Sequence, residues 1–486
     1  DQYGGHPMIP WWAMVILVFG ANTTLWGSVG LARLAERQVR GARSRRRPPG
    51  RHTSAAVAAG RDPEQTQEIV VTLRSDGRGH RPGNLTVHDV AVLIAAHNES
   101  VVISESLAAI VQLVPKANVH VVSDGSTDNT AALAQAAGVN VMQTETNLGK
   151  AGALRAAIDH FRLVEKFAVV MLLDADTRVQ PGYFSSALPL FDDPKIAAVA
   201  GCVRTMWERK LSAIGTLLVA HRTRVYAMAQ RVLKFGQTYS RINATYIVPG
   251  FASMYRTDVL PHIDMNPPGV VIEDFNMTFE LYQKRLGKVG FSLGAIAVTQ
   301  DPDTFRDYLK QTKRWALGLW QTVRRHPPRA NLFSAMLWLI LIELLTSSLL
   351  FLFLPLLVII LLVPDFFAAS LTLPVFDTVH AAIASYVNLP DLFYGIVLPD
   401  IALTFLVAVV ERRPRLLLGT VFFLLLRVFD AGIALYTLPL AWLTKSNGRW
   451  TSPTRRALSS GNEADTEIIE QNGEAAHAIA RGAKVG

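Results

Sequence analysis

The residues best suited to chemistry stand just beyond short β-branched runs. Val90–Ala96 leads into His97-Asn98-Glu99, Val119–Ser123 into Asp124-Gly125-Ser126-Thr127-Asp128, and Phe167–Leu173 into Asp174-Ala175-Asp176. A further loop reads Asn147-Leu148-Gly149-Lys150-Ala151. An Asp-x-Asp pair suits a hard divalent cation. Side chains alternate along a strand, so one carboxylate can hold Mg2+ or Mn2+ against two phosphate oxygens while the other faces a nucleotide. Taken singly, each residue has a plainer use: Ser126 or Asp128 would cap the following helix, and Glu99 or Asp128 would complement its dipole. Together they are too many for capping, and Asp174 and Asp176, behind an apolar strand, would be buried at a cost unless they bind something. Neither GxxxxGK[ST] nor GxGxxG surrounds Gly149-Lys150, and there is no HExxH, so a P-loop ATPase, a dinucleotide fold and a zinc protease are unsupported. A single cysteine, Cys202, excludes an intramolecular disulfide and multi-cysteine zinc sites.

The elements that must carry these residues follow from patterning. Between the apolar runs, to which Val139–Gln143 and Ile196–Ala200 also belong, lie Ala-rich helical stretches at Ser104–Leu113, Asp128–Ala137 and Ala151–Phe161. Strands alternating with helices predict an α/β domain with a mostly parallel sheet and helices on both faces. Ligands of such sheets bind beyond the carboxyl ends of the strands, where these residues fall.

The chain as a whole is apolar. Of its 486 residues, 50% are hydrophobic and 18% charged, against roughly 25% charged in soluble domains, and the mean hydropathy is +0.25. A membrane protein with a water-soluble domain is indicated. Trp11–Leu31 has no charged residue and is long enough to cross a bilayer, with Trp11, Trp12 and Trp26 suited to its interfaces. Eight arginines against Glu36 follow in residues 33–51, part of a net charge of +9. They predict a topology anchor that holds the next domain in the cytoplasm and the N-terminus outside. No aromatic residues interleave with them for base stacking, so no nucleic-acid partner is expected. Further spans are predicted at about 332–363, 392–410 and 416–443, with 366–388 an extra or re-entrant segment. Arg427 and Asp430, on one helical face, would be an intrahelical pair or part of a conduction path, and Glu343 raises the same question. Thr304–Arg325, apolar at helical spacing and ended by Pro327-Pro328, predicts an amphipathic helix on the membrane. The expected units are a transmembrane helix 1–34, a basic segment and linker 35–88, a catalytic domain 89–302, the interface helix 303–328, transmembrane helices 329–445 and a tail 446–486.

Ala96-His97-Asn98-Glu99, Asp124-Gly125-Ser126, Gly149-Lys150-Ala151, Asp174-Ala175-Asp176, Glu273-Asp274 and Gln311-Thr312-Lys313-Arg314-Trp315 occur in an order that resembles the processive family 2 membrane glycosyltransferases, makers of cellulose, chitin, hyaluronan and poly-N-acetylglucosamine. The resemblance covers about residues 90–325, and its strongest element is Gln-x-x-Arg-Trp. It implies a GT-A-like domain in a multi-pass plasma-membrane protein and a divalent cation, Mg2+ or Mn2+. Ala95, His97, Glu99 and Asp124 would line the base and ribose of a UDP-sugar, and Lys150 and Asp174 would lie against UDP. Asp176 would hold the metal, and Arg314 would face the diphosphate. Asp274 would be the general base. Gly250, Phe251, Glu273, Gln311 and Trp315 would border the acceptor, Trp315 offering a flat face to a pyranose. Ser123 stands where an aspartate is common, and Ile272 where a threonine is. Trp450-Thr451-Ser452-Pro453 also looks like a family element of the cytoplasmic side. The expected activity is inverting transfer from a UDP-sugar, with UDP-N-acetylglucosamine preferred by family analogy, to a growing β-linked glycan that is passed across the bilayer. The alternatives are single transfer to a lipid or wall acceptor, and a non-catalytic channel or anchor with a degenerate domain.

Overall fold

A computed structural model describes residues 9–45, 85–207, 211–367 and 374–444. The strands are β1 Val90–Ala96, β2 Val119–Asp124, β3 Asn140–Thr144, β4 Val169–Asp174, β5 Arg178–Val179, β6 Ile196–Thr205, β7 Thr238–Tyr239, β8 Ile242–Asn243, β9 Ala252–Arg256 and β10 Lys288–Thr299. The helices that matter to the site are α1 Trp11–Arg45, α2 Ile103–Ile110, α3 Thr130–Ala136, α4 Lys150–Phe161, α5 Tyr183–Ala187, α6 Ala213–Met228, α7 Glu273–Gln283, α8 Phe305–Arg325, α9 Leu332–Phe367, α10 Pro374–Ala384, α11 Leu398–Val410 and α12 Thr420–Leu443.

The main sheet has the order β3-β2-β1-β4-β9-β6-β10-β5. It is mixed rather than mostly parallel. β1 to β4 pair in parallel, as do β6 and β10, but β9 runs antiparallel to β4 and β6, and β5 antiparallel to β10. β9 was not visible in the sequence because Ala252-Ser253-Met254-Tyr255-Arg256 is short and lacks a β-branched run. Its direction brings the start of β9 to the edge where β1, β2, β4 and β6 end.

Both faces are covered, as expected. Ile103, Leu107 and Ile110 of α2 and Tyr183 and Ala187 of α5 pack with Val92, Ile94, Met171 and Leu173. Ala153, Leu154, Ala157 and Ile158 of α4 and Met277 and Leu281 of α7 pack with Ala91, Leu93, Leu172 and Ala198. Residues one apart on a strand thus feed opposite cores, and strands buried on both sides read as continuous apolar runs.

Among the described residues three helical segments are long and apolar enough to cross a membrane: Leu332–Val363, Leu389–Val410 and Pro414–Leu443. The expected crossing at 11–31 is not one of them. It belongs to α1, which breaks at Gly20 (φ 80°, ψ 156°) and carries Asn22 into its core, where the Asn22 backbone N–H and Nδ2 donate to Glu343 of α9 at 2.8 and 3.0 Å. Glu343 therefore caps the second half of a broken helix. Trp26 is fully buried rather than interfacial, while Trp11 and Trp12 are exposed. Arg33 also leaves the lipid-anchor role: its guanidinium is buried, lies 4.2 Å from the Phe235 ring and donates to Phe235 O at 2.6 Å. The 366–388 region contains α10, whose 11 residues are about half of what a crossing needs. Residues 446–486, with Trp450-Thr451-Ser452-Pro453, lie outside the described residues.

Arg427 and Asp430 are not paired with each other. Asp400 of α11 accepts from Arg224 Nη1 of α6 at 2.8 Å and from Arg427 Nη1 of α12 at 3.1 Å. Asp430 accepts from Tyr308 Oη of α8 at 2.7 Å and lies 3.3 Å from His221 Nε2 of α6. These ionisable groups tie the apolar helices to α6 and α8, so the intrahelical pair is replaced by interhelical ones.

Candidate active site

The strand ends converge on one rim of the sheet. Ala95 is buried and lies in register with Val122 on one side and Asp174 on the other. His97 Nδ1 is 2.6 Å from the carbonyl oxygen of Asp124. Asn98 takes a left-handed conformation (φ 55°) and its Oδ1 accepts from Thr127 N at 2.8 Å, which locks the first loop to the second. Asp128 serves the plainer role. Its carboxylate accepts from Thr130 N and Ser100 N, both at 3.0 Å, and these bonds, with those from the hydroxyls, hold its pKa below the usual range although burial pushes it up. Glu99 is buried, with its N–H donating to Thr130 Oγ1 at 2.9 Å.

Asp124 differs from a capping acid. It is fully buried; Oδ1 accepts from Leu148 N at 2.8 Å and Thr144 Oγ1 at 2.9 Å, while Oδ2 is enclosed with no hydrogen-bond partner. A buried carboxylate oxygen left unmatched is costly in an empty site and suits a ligand N–H or O–H.

Lys150 opens α4 behind Gly149 (φ 78°), which turns the chain into the helix. Its Nζ lies 2.7 Å from Asp174 Oδ1 and 3.0 Å from Glu273 Oε1. Burial alone would lower the lysine pKa, but Asp174, Glu273 and Asp274 outweigh it and the net shift is upward. Asp274, in the first turn of α7, accepts from Gly250 N at 3.2 Å and Phe275 N at 2.9 Å. Burial and then Glu273 raise it, Lys150 and the two N–H groups restrain it, and it comes to about 6. Gly250 lets the backbone approach closely here: a Cβ would stand 3.0 Å from Lys150 Nζ and 3.1 Å from Glu273 Oε1, so both side chains would have to give way slightly. Phe251 is buried in the core beneath, and its carbonyl accepts from Asp174 N at 3.0 Å.

Asp174 and Asp176 do face different partners. Asp174 goes to Lys150, whereas Asp176, in the turn after β4, is reached by Thr299 Oγ1 of β10 at 3.3 Å. Among the described residues no three His, Cys, Asp or Glu side chains converge as a metal cage. One hard carboxylate at the rim fits a cation that takes most of its oxygens from a diphosphate.

The predicted amphipathic helix is α8, capped by Thr304, whose hydroxyl accepts from Asp307 N. Gly318 brings it against α7, where a Cβ would lie 2.9 Å from Ile272. Trp320 Nε1 donates to Ala434 O of α12 at 3.0 Å. Gln311, Arg314 and Trp315 are half-buried, and Gln311 Oε1 is enclosed without a hydrogen-bond partner. Sequence reasoning missed Arg222 of α6, whose guanidinium lies 4.4 Å from the Tyr308 ring and 4.5 Å from that of Trp315. The signal available was a run of basic side chains, His221, Arg222 and Arg224, inside an otherwise apolar helix.

Residues 169–375 match the family described as Glycosyl transferase family group 2. A poly-beta-1,6-N-acetyl-D-glucosamine synthase of Staphylococcus epidermidis is 26% identical over 254 residues, 49% of this chain and 58% of that protein. One of Staphylococcus aureus (strain COL) is 27% identical over 235 residues, covering 47% and 54%. The chain thus spans little more than half the length of these curated relatives. Among solved structures, a mannosyltransferase from Pyrobaculum calidifontis in complex with GDP-Man and Mn2+ superposes over 76% of this chain and 94% of its own, with a TM-score of 0.46 and 17% identity.

Proposed function

We propose that this chain, which carries a family 2 glycosyltransferase domain of GT-A-like fold, is a membrane-embedded inverting hexosyltransferase that extends a β-linked glycan from a UDP-sugar, with UDP-N-acetylglucosamine the preferred donor. The single observation that supports it most is the Lys150 cluster, where residues from four separate segments meet: Lys150 bridges Asp174 and Glu273, and Gly250 N–H holds Asp274.

Asp274 is the base. A carboxylate at about 6 is ionised at neutral pH yet more basic than an exposed aspartate, so it can take the proton of an attacking sugar hydroxyl. With no protein nucleophile assigned, the hydroxyl displaces UDP directly and the anomeric configuration inverts. Lys150 keeps a positive charge beside the acids and the departing diphosphate, and Arg314 adds a second. Asp124 Oδ2 offers its free lone pairs to the uracil N–H, while Ala95, His97 and Glu99 border base and ribose. Asp176 would hold Mg2+ or Mn2+, which supplies charge neutralisation on the diphosphate. Gly250, Phe251, Glu273, Gln311 and Trp315 frame the acceptor end. We place the catalytic domain in the cytoplasm of a multi-pass plasma-membrane protein, with unit boundaries as in the sequence reading and the N-terminus external, so that the glycan meets the bilayer as it grows.

The test is UDP release by the purified full chain over a panel of nucleotide sugars, with mass analysis of the product. A ladder of products from one donor is expected. A product carrying one added sugar would replace extension by single transfer, and no UDP release from any donor would end the enzymatic reading.

A further inference from the structure

The guanidinium of Arg222 is an unusual structural element. It is 3% exposed, and among the described residues it makes no direct salt bridge, the neighbouring ion pairs being His221 with Asp430 and Arg224 with Asp400. Its Nη2 donates to Thr312 Oγ1 at 2.8 Å, the Tyr308 and Trp315 rings lie 4.4 and 4.5 Å from its central carbon, and its Nε–H is enclosed without a hydrogen-bond partner. Positions 308, 312 and 315 form one face of α8, so a single side chain of α6 grips that face over two helical turns. A buried guanidinium without a direct salt bridge, whose charge reaches Asp430 only at longer range and whose Nε–H is unmatched, is expensive as a mere tether. An aliphatic side chain would join α6 to α8 at less cost.

We propose that Arg222 is a positioning residue for the acceptor, acting through Trp315. A guanidinium stacked against the indole fixes the ring plane, and the part of the half-buried ring that its packing beside the Ile272 and Phe275 cluster leaves open is then presented at a set angle to the terminal pyranose of the glycan. Gln311, one turn before Trp315, borders the same face, and its enclosed Oε1 supplies an oxygen for a sugar hydroxyl or acetamido N–H. Tyr308, the other side of the grip, is held in turn by Asp430 of α12 at 2.7 Å. The placement of Trp315 is thereby referred to an apolar helix as well as to the catalytic domain. This inference rests on the glycosyltransferase reading above, and the experiment separates the two.

The probes are UDP with Mg2+ and a β-1,6-linked N-acetylglucosamine tetramer, each titrated calorimetrically into the full chain in detergent, alongside initial rates of UDP release from UDP-N-acetylglucosamine. Arg222→Met is expected to weaken tetramer binding about tenfold, or about 1.4 kcal/mol, the order of a desolvated cation–π contact. Its UDP affinity should stay within about twofold of the wild type, which also reports a folded domain. Arg222→Lys keeps the cation over the rings and should recover part of the tetramer affinity. Unchanged tetramer binding in Arg222→Met overturns the proposal, as does a parallel loss of UDP and tetramer binding, the mark of a merely structural contact. A wild-type chain that binds UDP but not the tetramer overturns the acceptor placement and Arg222 with it. A wild-type chain that neither binds UDP nor releases it overturns the glycosyltransferase reading itself.

Discussion

Replacing Lys150 by methionine removes the ammonium 2.7 Å from Asp174 and 3.0 Å from Glu273 while keeping most of the apolar stem. At 3.0 Å and an effective dielectric constant of about 20, the attraction to Glu273 is about 5 kcal/mol. Part of that offsets desolvation, and stripping one partner from a buried pair costs about 3–5 kcal/mol. The site then holds Asp174, Glu273 and Asp274 with no lysine among them. Asp274, raised to about 6 by burial and Glu273 while Lys150 restrains it, moves further up. The acid limb of UDP release, expected near pH 6 in the wild type, should shift upward by about one unit or more. Lys150 has a raised pKa in the folded chain, so its contribution to stability is fully present below the unfolded lysine value of about 10.4. Titration of the lysine itself therefore does not erase the difference at working pH. The gap narrows where Asp274, with its raised pKa, takes up its proton, so the variant should lose more melting temperature at pH 8 than at pH 5. Rate–pH profiles at saturating donor and thermal unfolding at the two pH values measure both effects. An acid limb at the wild-type position, with an equal loss of Tm at pH 5 and pH 8, would refute the electrostatic coupling of Lys150 to Asp274.

Asp274→Asn should abolish transfer while leaving UDP affinity within about twofold, since the amide keeps the shape but cannot take a proton; turnover near the wild-type rate would remove the assigned base. Asp176→Ala should lose the Mg2+-dependent part of UDP binding in calorimetry, and equal affinity with and without Mg2+ in wild type and variant would move the metal site elsewhere. Asp400→Asn leaves Arg224 and Arg427 facing a neutral amide, and about 3–5 kcal/mol of stability should go with the carboxylate, seen as a lower unfolding midpoint in detergent; an unchanged midpoint would show that the cluster does not hold α6 to the apolar helices.

Local pattern carried much of the architecture. Val90–Ala96 is a strand end to end, and the Ala-rich stretch Ala151–Phe161 lies in α4, which buries Ala153, Leu154, Ala157 and Ile158. The acids at the strand ends were legible because burial behind an apolar run needs a reason, and Asp124 with its unmatched oxygen supplies one. What no periodicity could supply was contact between distant segments. Lys150 reads as a cation near a nucleotide, but its bond to Glu273 joins helices far apart in sequence. Arg427 and Asp430 could be read as a pair or as part of a conduction path because helical spacing puts them on one face, yet Arg427 meets Asp400 of α11 and Asp430 meets His221 of α6, contacts that spacing cannot foresee. The break inside the first apolar helix was hidden for a related reason. Asn22 and Gly20 lower its apolarity, and only the Glu343 carboxylate on another helix explains their presence.

The reversed direction of β9 has a consequence for how such a protein diversifies. The chain leaves the sheet after Thr205 and rejoins it at Ala252, and the excursion between ends at Gly250, on the acceptor side of the proposed chemistry. Asp124, Asp174 and Asp176 are all laid down before that departure. Insertions or replacements in the excursion can therefore remodel what is being built while the purchase on the activated donor stays intact, and a search for what distinguishes one polymer from another is best begun between Met206 and Gly250.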